Sequence, residues 1–124
     1  MKTLISIFIG GGLGSIFRFY LGKWFNGSDF LMPYGTFTAN VGGSFLIGLL
    51  TGLFLRSAYA HSPWAYMILV GFLGGFTTFS TFAYENFVFW KEGNLMLFFA
   101  YFSSTFITGL FAVAFGYFLS KFIL

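Results

Sequence analysis

The sequence predicts an all-α membrane protein of four transmembrane helices with a broken third helix, and three observations carry that expectation. Hydrophobic residues make up 58% of the 124-residue chain and charged residues only 7%, with 22 phenylalanines and a mean hydropathy of +0.88. A soluble domain of this size has too little interior to hide so much apolar surface. The apolar residues also fall into four runs, each long enough for the roughly 20 residues that cross a bilayer as a helix. This predicts a single membrane domain over residues 1–124 with no extramembrane module. Finally, the third run contains VGFLGGFTTFSTF, Val70 to Phe82, where Gly71, Gly74 and Gly75 stand beside Thr77, Thr78, Ser80 and Thr81. A backbone that breaks there frees N–H and C=O groups that lipid cannot satisfy. Such a break is tolerated only where protein or a water-filled path covers it, and breaks of this kind often mark an ion or substrate site.

The first span is expected over residues 3–22. It continues to Tyr20 without a convincing cleavage site, which favours a retained span over a signal peptide. A polar turn over 23–33 follows, with Asn26, Gly27, Ser28 and Asp29. The second span covers 34–55, a loop covers 56–63, and the third span, 64–90, is long enough to contain the break. Residues 91–94 make a tight turn, and the fourth span runs over 95–120, ending before Lys121.

Composition also excludes function classes. The absence of cysteine removes disulfides, thiolate metal sites and cysteine nucleophiles. A net charge of +3 spread along the chain gives no nucleic-acid footprint. His61 falls in a loop without a second candidate ligand, which reads as a solvated surface histidine. Asp29 and Glu92 fall in loops and only Glu85 lies within a span, so a cation pore or proton relay is disfavoured. An acid within a span is a functional candidate by default. Glu85 stands four residues after Thr81 on a resumed helix, and it is also close enough to the span's end to reach interfacial water.

Orientation follows the Lys/Arg bias of short loops. Lys2, Arg56 and Lys121 lie on the side of the termini, and Lys23 and Lys91 lie opposite, joined by Arg18 if it reaches that interface. The bias is near zero. A chain so balanced can insert both ways and pair with its inverted copy, although four-span proteins in general take one orientation. Small residues four apart, Gly10 with Gly14, Gly11 with Ser15, and Ser44, Gly48 and Gly52, permit close helix approach. They fit ordinary packing as well as a dimer.

Polar groups within the spans carry the sharper signal. Asn40 needs partners for both its carbonyl and its NH2. With Thr77, Thr78, Ser80 and Thr81, and with Ser103, Ser104, Thr105 and Thr108 of the fourth span, it suits the lining of a narrow wet path. The hydroxyls equally suit bonds back to their own helices. Phe79 and Phe82 share a face on a resumed helix. Their positive ring edges and the neutral donors suit a small anion held weakly enough to be released; simple packing or lipid exposure is the alternative.

GGLGSIFR (residues 11–18), YGTFTAN (34–40) and GFLGGFTTFSTFAYE (71–85) resemble the signature segments of the Fluc (CrcB) fluoride channels, and the resemblance covers essentially the whole chain. It implies an antiparallel, dual-topology homodimer with two pores in the lipid bilayer of a bacterial cytoplasmic (inner) membrane, passing fluoride down its gradient. It assigns Phe79 and Phe82 to an aromatic ion-coordinating box, Asn40 to the pore lining and Arg18 to a vestibule; Ser80 and Thr81, from the polar reading above, are expected in the same pore. It also implies a structural sodium ion at the dimer centre, held by the Gly74 and Thr77 carbonyls of both subunits. The family's fourth-span hydroxyl track falls on Tyr101, Thr105 and Gly109, and Gly109 departs from it because it has no hydroxyl. The rival is a small multidrug-resistance-type transporter subunit, also a four-span dual-topology dimer. That family uses an acid in the first span, and residues 3–22 contain none.

Overall fold

The computed structural model describes residues 1–25, 27 and 31–123; Asn26, Ser28 and Asp29 of the expected first turn lie outside the described residues. Helix α1 spans Lys2–Phe25 and α2 spans Tyr34–Phe54. The third span is made of α3 (Pro63–Tyr66), a π-helical stretch (Met67–Phe72), α4 (Leu73–Phe76) and α5 (Phe79–Lys91). Helix α6 spans Leu95–Ile123. Among the described residues, four helical segments, residues 2–25, 34–54, 63–91 and 95–123, are long and apolar enough to cross a membrane, as expected of an integral membrane protein.

Local chemistry sets the ends of these elements. Ser62 caps α3 by accepting the Ala65 N–H at 3.2 Å, with Pro63 at the first helical position, where its missing N–H costs nothing. After α5 the chain turns on Gly93, whose φ of 74° lies in the left-handed region glycine tolerates. The Gly93 N–H bonds the Trp90 carbonyl at 3.0 Å and the Asn94 N–H bonds Phe89 at 2.9 Å, the paired closure of a glycine-terminated helix. Asn94 Oδ1 then accepts the Leu97 N–H at 3.3 Å and opens α6.

Helix α2 packs chiefly on α6, and α1 packs on the π-helical stretch and α4. Both pairs approach backbone to backbone. A Cβ on Gly10 or Gly14 would overlap the Met67 or Phe72 carbonyl oxygen, and one on Gly48 or Gly116 would overlap that of Val113 or Phe45. Small residues therefore form much of the interior, while most large apolar side chains face outward, from Phe8 on α1 to Phe122 on α6. Lipid is as apolar as a side-chain core, so close packing rather than hydrophobic burial drives such helices together.

Between α4 and α5, Thr77 (φ −81°, ψ 158°) and Thr78 (φ −151°, ψ 124°) are extended. Thr78 Oγ1 accepts the Thr81 N–H at 3.2 Å and so caps α5.

Candidate functional site

The two extended threonines displace helical hydrogen bonds that must be replaced. In an unbroken helix the Thr78 N–H would bond the Gly74 carbonyl. Instead it donates to Asn40 Oδ1 at 2.8 Å, and Asn40 Nδ2 donates back to the Thr78 carbonyl at 3.0 Å. The side-chain amide of α2 thus pairs with the backbone of Thr78 as a second peptide group would, and one Nδ2 hydrogen is left over. Thr78 Oγ1 also donates to Thr81 Oγ1 at 3.1 Å and lies 3.5 Å from Ser80 Oγ. Thr77 Oγ1 bonds back to the Leu73 carbonyl at 2.9 Å, and the Thr77 carbonyl accepts Arg18 Nη1 at 3.3 Å.

This junction forms one wall of a cavity of about 700 Å³, which α2 and α6 complete. Asn40, Gly74, Thr77, Phe79, Phe82 and Thr105 all line it. Among the described residues, its lining includes no ionisable side chain, so its polar character comes from neutral amides and hydroxyls. The Phe79 and Phe82 rings lie 6.3 Å apart with planes at 51°. Their surroundings differ: Phe79 is 79% exposed and Phe82 only 8%, the latter packed against Tyr101 and Phe102 with centroids at 5.2 and 6.0 Å.

Ser80, Thr81, Tyr101 and Arg18 do not line this cavity. Ser80 and Thr81 are exposed on the first turn of α5. Tyr101 is fully buried, and its hydroxyl donates to Glu85 Oε2 at 2.8 Å; Thr36 Oγ1 donates to Glu85 Oε1, also at 2.8 Å. Glu85 therefore joins α2, α5 and α6. Gly109 lines the cavity, while the neighbouring Thr108 hydroxyl bonds the Ser104 carbonyl of its own helix at 2.5 Å. Thr108 thus offers no donor in place of the one Gly109 lacks.

A family model described as CrcB-like protein, Camphor Resistance (CrcB), matches residues 5–117. The chain belongs to the CrcB family. Among its CrcB relatives, a protein named Fluoride-specific ion channel FluC from Leptospira interrogans serogroup Icterohaemorrhagiae serovar copenhageni (strain Fiocruz L1-130) is 44% identical over 110 residues, covering 88% of this chain and 87% of the relative. One of the same name from Pectobacterium carotovorum subsp. carotovorum (strain PC1) is 44% identical over 94 residues, 76% of this chain and 74% of that one. Another, from Azobacteroides pseudotrichonymphae genomovar. CFP2, is 37% identical over 123 residues, covering 98% of each chain.

Nothing in the sequence of this CrcB chain singles out Thr36 or names a partner for Glu85. The only available signal was that a carboxylate and a threonine both fall within spans. Their meeting depends on how α2 and α5 cross. Thr78 was legible as polar, but its capping role and its pairing with Asn40 were not.

Proposed function

We propose that this chain is a fluoride-selective passive channel and not an enzyme, and that it works as an antiparallel homodimer in the bacterial cytoplasmic membrane. The observation that carries the reading is the cavity wall on which Asn40, the Thr77–Thr78 junction, Phe79 and Phe82 meet. That wall offers an anion the remaining Asn40 amide hydrogen and positive ring edges. Because no ionisable side chain lines it among the described residues, binding stays weak enough for the ion to leave. The names of the relatives agree with fluoride as the ion.

In this reading the interruption lies at membrane depth, made tolerable by the Asn40 pairing and by the water-filled path it borders. The clamp on Thr78 fixes the start of α5 and with it the neighbouring Phe79. Its leftover Nδ2 hydrogen serves the anion. Arg18, held by the Thr77 carbonyl, adds positive charge near the path and raises the local anion concentration. The balanced Lys/Arg distribution supports insertion in both orientations, and an inverted copy would close the cavity that one chain leaves open.

The implied sodium ion fits the residues present. The Gly74 carbonyl has lost its helical donor to Asn40, a Cβ at Gly74 would meet nothing within 4 Å, and a carbonyl that accepts one bond, as Thr77 does, retains a second lone pair. Oxygen ligands are what a hard cation prefers. The Gly74 and Thr77 carbonyls would hold the ion, which supplies a fixed positive charge tying two copies together. Fluoride release from liposomes containing the purified protein tests the channel reading.

A further inference from the structure

Most of the wall around the cavity is apolar, with Ile47, Leu69, Leu110 and Val113 among its residues, and such a wall cannot replace the water an anion gives up. Each uncommitted donor on it therefore matters. Thr77 and Thr78 spend their hydroxyl hydrogens on Leu73 and Thr81. Ser44 lines the same cavity, and its hydroxyl makes no hydrogen bond among the described residues. It stands one helical turn after Asn40 on the same face of α2. Thr105 of α6 is buried with its Oγ1 also unpartnered.

Across from Ser44 stands Gly109, one turn after Thr105. A Cβ built at Gly109 would lie 3.6 Å from Ser44 Oγ, an ordinary contact distance, so the two residues occupy adjacent points of the wall. Gly109 itself brings no side chain toward the Ser44 hydroxyl.

We propose that Ser44 is an anion-coordinating residue, donating its hydroxyl hydrogen to fluoride one turn beyond Asn40, at the level where α6 carries Gly109 and has no donor of its own. The inference rests on the fluoride-channel reading and adds a residue and a helix to it. The polar path here runs from α6 at Thr105 across to α2 at Ser44 rather than along α6 alone.

The test is fluoride efflux from liposomes containing the wild type, Ser44→Ala, Gly109→Ser and the double variant, each first shown to be folded and of unchanged size by gel filtration. Ser44→Ala lowers efflux by about tenfold, the order expected for losing one hydrogen bond to a charged group. Gly109→Ser restores much of the loss in the Ser44→Ala background by returning a hydroxyl to the same region from the opposite helix. Wild-type efflux in Ser44→Ala overturns the proposal. So does a loss that Gly109→Ser leaves unrestored, because the serine then acts through packing. Absence of fluoride release from the wild type overturns the channel reading itself, and this proposal with it.

Discussion

Tyr101 and Glu85 are joined by a 2.8 Å hydrogen bond from the phenol to Oε2, and Thr36 takes the other carboxylate oxygen at the same distance. Three helices meet at one side chain. Glu85→Ala leaves the buried Tyr101 hydroxyl and the Thr36 hydroxyl without acceptors, and an unsatisfied buried group costs about 1–3 kcal/mol. Tyr101→Phe and Thr36→Val each leave the carboxylate one partner and cost less. Unfolding of the purified protein in detergent ranks the three, and Glu85→Ala as stable as the wild type contradicts the assignment.

The two phenylalanines separate because their surroundings differ. Phe79→Ile leaves stability unchanged, since the ring is largely exposed in the chain. Phe82→Ile disturbs the packing with Tyr101 and Phe102 at a cost below about 1.5 kcal/mol. Both remove a positive ring edge and sharply reduce fluoride efflux, whereas Phe118→Ile on the outer face of α6 does neither. Normal efflux in folded Phe79→Ile and Phe82→Ile proteins removes the aromatic pair from the pore.

Balanced positive charge predicts both orientations in comparable amounts. Reporters active on opposite sides of the membrane, fused in turn to the C-terminus, read this directly. Both give signal; signal from one side alone contradicts dual topology.

Removing sodium deprives the Gly74 and Thr77 carbonyls of the cation proposed to join two copies. Prolonged exchange into sodium-free buffer loosens the dimer or slows efflux, and readdition of sodium reverses the change. A dimer and an efflux rate both unaffected by complete exchange exclude the site.

Hydropathy made the four spans legible, and the ends that moved have a physical reason. Residues 22 and 120 were expected to close the first and last spans, yet α1 continues to Phe25 and α6 to Ile123. A lysine near a membrane interface need not end a helix, because its long stem lets the charge reach water. Lys23 Nζ lies 5.2 Å from the centroid of the Phe19 ring and Lys121 Nζ lies 5.7 Å from that of Tyr117, each ring one turn earlier on the same helix. The glycine and threonine pattern pointed to residues 71–81 as the place to look for a site. What it could not provide was cross-helix pairing. Asn40 was legible as an amide in need of partners, but spacing along α2 cannot name Thr78, and spacing along α5 cannot name Thr36 and Tyr101 as the partners of Glu85.

Fluoride efflux from liposomes, followed with an ion-selective electrode after the membrane potential is collapsed, tests the central claim most directly. The account predicts rapid, passive fluoride release that depends on the protein, with chloride retained under the same conditions. Fluoride release no faster than from protein-free liposomes, or chloride release at the same rate, contradicts it.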